Sequence, residues 1–282
     1  MITFRYHLVS IAAVLLALAA GVALGAGALD GRFAPDREQG SSSAGDSALV
    51  SFENGYAART STGLIEGTLD DRSVVLLTLP GADAEQVAGV RRNLERAGAT
   101  ITGTVALTAK LVDPANRQFA ESVTEEAAPD SSGEGYARVG AALGRSLLGR
   151  AGRELDQTAR TTASAFEEGG LTSASAAPER FAGQAVVVAG PSRLGDSAEV
   201  VTGLLRALAG TGDGTLLAGP SASSLDGGAV DVVRREASQV STVDVTDSAA
   251  GRAVTALALA RVAAGETGAW GTSRSQDGSV PR

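Results

Sequence analysis

The sequence contains no cysteine, a single histidine and a single methionine. Disulfides, thiol catalysis and thiolate metal sites are therefore excluded. The sulfur that Cu(I) favours and the imidazole that harder copper favours are reduced to Met1 and His7. With His7 ahead of a long apolar run, no Ser–His pair can form in an outer domain. No Gly-x-Ser-x-Gly elbow is present, and no Gly-x-Gly-x-x-Gly follows a strand-like segment. Aromatic residues make up 4%, and Lys110 is the only lysine among 24 basic residues. The net charge of −8 lacks the basic footprint that a phosphate backbone requires, so nucleic acid is excluded as a partner. Carboxylate pairs such as Glu125-Glu126 and Glu167-Glu168 lie in polar stretches and read as solvated surface. No catalytic residue, metal ligand or cofactor site emerges from these residues, and a non-enzymatic protein is expected. What is present is 44% hydrophobic content across 282 residues, enough for a large α/β core.

Residues 8–29 carry no charge. As a helix they span about 33 Å, close to the roughly 30 Å hydrocarbon core of a bilayer. Arg5 and the terminal amine precede this run, while Asp30, Arg32, Asp36, Arg37 and Glu38 follow it with mixed sign. The expected orientation has residues 1–7 cytoplasmic and the rest extracytoplasmic. Plasma-membrane residence follows from a helical span. The rival reading is a cleaved signal peptide, with Ala26-Gly27-Ala28 as its cleavage site. Against it, the apolar run exceeds the usual 7–15 residues. Ala13, Ala17, Gly21 and Gly25 recur every fourth position and give one smooth helix face. Through that face the span could meet a second copy or another envelope protein.

Beyond the span, residues 30–46 are rich in Gly, Ser and charge and read as a flexible tether. Residues 47–267 are expected to form an extracytoplasmic α/β domain, and 268–282 a disordered tail with Trp270 as its one packing anchor. Within the domain, residues 47–67 have loose helical spacing interrupted by Gly55 and Gly63. Residues 73–79 (SVVLLTL) are a β-branched apolar run stopped by Pro80-Gly81. A helix over 84–97 and a strand over 100–107 complete one strand–helix–strand half. The second half has strands at 185–189, 215–218 and 240–245, with helices at 197–209, 225–237 and 248–264. Two further helical patterns lie between the halves, at 135–149 and 151–168. Uninterrupted apolar strands alternating with helices imply a soluble Rossmann-like domain with a mainly parallel sheet covered on both faces.

Such sheets bind nucleotides at their strand ends. The one candidate is Gly190-Pro191-Ser192-Arg193-Leu194-Gly195-Asp196-Ser197, which has P-loop spacing. Asp196 occupies the lysine position, where a carboxylate repels phosphate. A strand-to-helix turn with Asp196 as helix N-cap is the better reading.

Three stretches carry a resemblance. They are Phe4-Arg5-Tyr6-His7-Leu8-Val9-Ser10-Ile11-Ala12-Ala13-Val14 with Gly21 and Gly25, then residues 72–83 (RSVVLLTLPGAD), then residues 98–105 (GATITGTV). Together they resemble the MctB-type copper transporter family of actinobacteria. The resemblance implies an envelope protein with a role in copper export or homeostasis and a channel-forming, outer-membrane character. It also brings in a link of some relatives to cell division. Copper enters as a partner only through this resemblance, because no ligand residues are there to carry over. A barrel would need strands of about 9–11 residues alternating apolar and polar positions, and the strands here are solidly apolar.

Overall fold

The computed structural model of the protein describes residues 39–272, 274–275 and 277–281. The N-terminal segment 1–7, the expected span 8–29 and its stripe of Ala13, Ala17, Gly21 and Gly25 lie outside the described residues. Among the described residues, no helix is long and apolar enough to cross a membrane. The chain divides into units of residues 1–52 and 53–282.

Helix α1 runs from Gln39 to Thr60, so part of the expected tether, residues 39–46, is helical. Glycine and serine are poor helix formers, but helix propagation adds one backbone bond per residue once a nucleus exists. Ser51 and Thr60 turn their hydroxyls back onto the carbonyls of Ser47 and Tyr56, four residues earlier. Gly55 is accommodated within the helix, and the chain breaks only after Thr60.

A seven-stranded sheet follows, composed of β1 Ser73–Thr78, β2 Thr100–Leu107, β3 Thr172–Ala176, β4 Gln184–Val188, β5 Thr215–Ala218, β6 Ser241–Val243 and β7 Ala269–Trp270. Their order is β3-β2-β1-β4-β5-β6-β7, and every pairing is parallel except β2–β3. The remaining helices of eight residues or more are α2 Ala84–Arg96, α3 Arg117–Ala127, α4 Gly135–Leu147, α5 Gln157–Glu168, α6 Ala198–Ala209, α7 Ala229–Glu236 and α8 Ala249–Ala263.

The solid apolar runs have a direct cause. Side chains along a strand alternate between faces, and both faces are covered. Val75, Leu77 and Val187 point into a core roofed by α3, α4, α5, α6 and α7. Val74, Leu76, Val186 and Val188 point into a second core roofed by α2 and α8. Leu76 and Leu77 are both fully buried, and each contributes about 1.5–3 kcal/mol by leaving water.

Two strands of the sheet differ from the sequence reading. Strand β3 runs antiparallel at the edge; its sequence, TSASA, has no hydrophobic signal, and it is placed by pairing with β2. The 268–282 segment, expected to be disordered, supplies β7 in parallel register with β6, and Trp270 is buried.

Candidate functional site at the strand ends

In a doubly wound sheet the ligand crevice opens where the strand order reverses, here between β1 and β4. The loop after β1 turns at Pro80-Gly81, with Gly81 at φ +81°. Asp83 then caps α2, its carboxylate accepting from the Gln86 N–H at 2.9 Å. The loop after β4 carries Gly190 as its second residue. A Cβ on Gly190 would lie 2.2 Å from the Gly81 carbonyl oxygen, so the two loops touch backbone to backbone. At this point main chain from the two loops meets across the mouth of the crevice.

The P-loop-like segment is committed elsewhere. Leu194 donates its N–H to the Gly227 carbonyl at 2.9 Å, and Arg193 pairs with Asp226 at 2.8 Å on the surface. Asp231 reinforces this loop by accepting from the Gly227 N–H and from Arg235. Burial pushes the Asp231 carboxyl up, but these two donors outweigh it and hold the group below the usual carboxylate range.

Asp196 is not the N-cap of α6. It sits inside a single 3₁₀ turn, Gly195–Ser197, and Ser197 occupies the cap position without a side-chain bond. The turn supplies an acceptor from the backbone instead, with Ser197 N–H donating to the Leu194 carbonyl. A tight 3₁₀ turn thus does part of the work expected of a capping carboxylate.

The ends of β5 and β6 are tied as well. Ser221 donates its hydroxyl to Asp247 at 2.5 Å and its N–H to the same oxygen at 3.2 Å. Thr246 donates to the Gln86 side chain on α2 at 2.8 Å. Ser221 and Asp247 face each other without an imidazole. No group of three or more His, Cys, Asp or Glu residues among the described residues is arranged to hold a metal ion.

Two open spaces flank the β2–β3 corner. A groove of about 430 Å³ lies on the α2 side, with Thr104 and Ala106 of β2, Ser173 and Ser175 of β3, and Val87 and Arg91 of α2 around it. A smaller apolar cavity of about 200 Å³ lies on the other face, beside Leu143, Leu147 and Phe166, with Arg160 and Glu167 among its lining residues. Sequence reasoning finds neither, since both depend on which strand lies at the edge.

The described residues thus form a doubly wound α/β domain whose loops after β1 and β4 touch at the switch point. The chain belongs to the family described as "Copper transport outer membrane protein, MctB", whose model matches residues 1–281. It is 30% identical to the copper transporter MctB of Mycobacterium tuberculosis (strain ATCC 25618 / H37Rv) and to that of Mycobacterium bovis, over 96% of each chain. It is 31% identical to the copper transporter MctB of Mycobacterium leprae, over 96% of both chains.

Proposed function

We propose that the protein serves copper homeostasis at the cell envelope as a single-pass membrane protein, with its N-terminus cytoplasmic and its α/β domain extracytoplasmic. The observation that carries this reading is the family match along essentially the whole chain, with mycobacterial relatives that bear the name copper transporter. The domain acts without catalysis and does not itself line a channel. Support for this second part comes from the central strands β1, β4 and β5, which are apolar on both sides and covered by helices on both faces. A transmembrane barrel alternates instead. Copper is then handled together with partners in the membrane, reached through the span, and the plasma membrane is the favoured site. Deleting the gene and measuring cell-associated copper and copper tolerance under load tests the reading. Higher copper content and lower tolerance, restored by the full chain, are expected. Unchanged content and tolerance overturn it.

A second reading is a tethered scaffold for envelope assembly or division. It is favoured by the contact of the loops after β1 and β4 at the strand ends, which narrows the usual ligand site and puts weight on the domain's outer surfaces. Septal enrichment and co-purification with cell-wall proteins from the membrane fraction would support it. Uniform distribution with no partner would count against it.

A further inference from the structure

On the α2 side of the sheet, coverage ends partway along β2, where Ile101 still packs against the core. Leu76, Val186, Leu216 and Val243 are fully buried there, whereas Ser173 and Ser175 are exposed and Thr104 is half-buried. The cause is topological. The connection from β2 to β3 runs through α3, α4 and α5, whose buried residues Ala120, Leu143 and Phe166 all join the opposite core. No crossover helix is left to roof β3 and the end of β2 beside it. A bare sheet edge is commonly guarded by lysine, other charges or proline, yet Thr172–Ala176 has none of these. Small side chains there leave the space beside α2 open as a groove of about 430 Å³. That volume lies within the roughly 300–1,000 Å³ range of small-molecule sites.

The lining has definite chemistry. Methyl groups of Val87, Ala106 and Thr104 provide an apolar wall and floor, and Ser173 and Ser175 add hydroxyls. Arg91 is the one charged residue lining the groove. It pairs with Glu95 on its own helix at 2.9 Å, with both side chains nearly half exposed. Exposed pairs of this kind contribute little, so the guanidinium can turn to a guest without large loss. The Thr104 hydroxyl is shielded from solvent and has no hydrogen-bond partner among the described residues. Being out of reach of solvent, that oxygen is also out of reach of a guest in the open groove, and recognition falls to Arg91 and the serine hydroxyls.

We propose that this groove binds a small amphipathic monoanion, with its apolar body over the β2–β3 floor and its acidic group on Arg91. A nucleotide does not fit this description, because one cation cannot balance several phosphates. An inorganic ion would leave the apolar floor wet. The site lies on the β2 side of the loop after β1, where Thr78, Ala82 and Ala84 also line it, and it does not depend on the copper reading.

The test uses the full chain in phosphatidylcholine nanodiscs, with benzoate and hexanoate as probes and benzyl alcohol and hexanol as their uncharged counterparts. Binding is followed by saturation-transfer NMR. Saturable binding of the acids is expected, with the alcohols weaker by roughly tenfold, the size of one charge-assisted hydrogen bond. Arg91→Gln should erase the preference for acid over alcohol. Ser173→Phe and Ser175→Phe, both at exposed positions, should fill the groove and abolish binding while the circular dichroism spectrum stays unchanged. Absence of saturable binding, equal binding of acid and alcohol, or full binding by both filled variants would overturn the proposal. Loss of binding in Ser173→Phe and Ser175→Phe together with retention in Leu143→Ala, a variant of the cavity on the other face, would place the probe in this groove.

Discussion

Arg234 donates from Nη1 to Oδ2 of Asp244 at 2.8 Å, and of the ion pairs among the described residues theirs is the one shut away from water. Asp244 also accepts from the Thr272 N–H at 2.7 Å and the Thr272 hydroxyl at 2.8 Å. Arg234 donates further to Thr242 and to the Trp270 carbonyl. One pair thus fastens α7, β6 and β7 together. Asp244→Ala leaves a buried guanidinium unmatched and should cost about 3–5 kcal/mol. Asp244→Asn keeps the shape and should cost less. Trp270 is the only tryptophan, so urea unfolding followed by its fluorescence reads the loss directly. A red shift in Asp244→Ala before the main transition would show β7 leaving first.

The contact between Gly190 and Gly81 makes a contrast within one loop pair. Gly190→Ala drives a methyl into main chain that has no rotamer to yield, and should cost about 1–3 kcal/mol. Gly81→Ala meets open space, and its penalty is the left-handed backbone alone, about 1–2 kcal/mol. Chemical denaturation of the two variants checks both. If Gly190→Ala proved neutral, the loops would be separable and the crevice could open.

Two aspartates at helix starts should behave differently. Asp83→Ala removes a bond to the Gln86 N–H and should cost about 0.5–2 kcal/mol. Asp196→Ala removes no side-chain bond to a described residue and should stay within about 0.5 kcal/mol of the native protein. Comparable losses in thermal melts of both variants would return Asp196 to a capping role.

Asp156 supplies a dependence on pH. Its carboxylate accepts from the Ala159 N–H first and from Arg145 second, and both hold its pKa below the usual carboxylate value. Its folded pKa is therefore lower than its unfolded one. The stability it adds is present above the unfolded value, near 3.8, and is lost as pH falls through the folded value. The side chain is about 40% exposed, so solvent screening keeps the effect modest. The stability gap between native protein and Asp156→Ala, measured by urea unfolding, should narrow from pH 6 to pH 3.

Residues 47–282, produced without residues 1–46, should be soluble without detergent and give a mixed helix and strand circular dichroism spectrum with one cooperative melt. The apolar faces of α2, α6 and α8 are turned onto the sheet and leave no outer band for lipid. Insolubility with a mainly β spectrum would restore the pore.

Much of this fold is legible in the sequence wherever burial on two faces enforces a continuous apolar run. SVVL, AVVV and TLLA each name their strand and stop at Pro80-Gly81, Gly190-Pro191 and Gly219-Pro220. The misses share a cause. β3 and β7 are edge strands, held by pairing and by one ion pair, so neither TSASA nor AW carries a periodic signal. Asp196 misled because an aspartate before a helix suggests capping, while the backbone turned once more before the helix began. Nor could spacing show that Gly81 and Gly190 meet, since they are neighbours only after β4 has chosen the free side of β1.

That choice governs the time course of folding. The seam between β1 and β4 is pinned where the Gly183 N–H meets the Ser73 hydroxyl, 110 residues away along the chain. Closing so long a loop costs roughly 4 kcal/mol of chain entropy before any of the seam's contacts form. β1, α2 and β2 can assemble from neighbouring residues, so they precede it and hold β1 with one flank bare. Refolding should then be slow and sensitive to protein concentration, because another molecule's strand can reach that flank before β4 does.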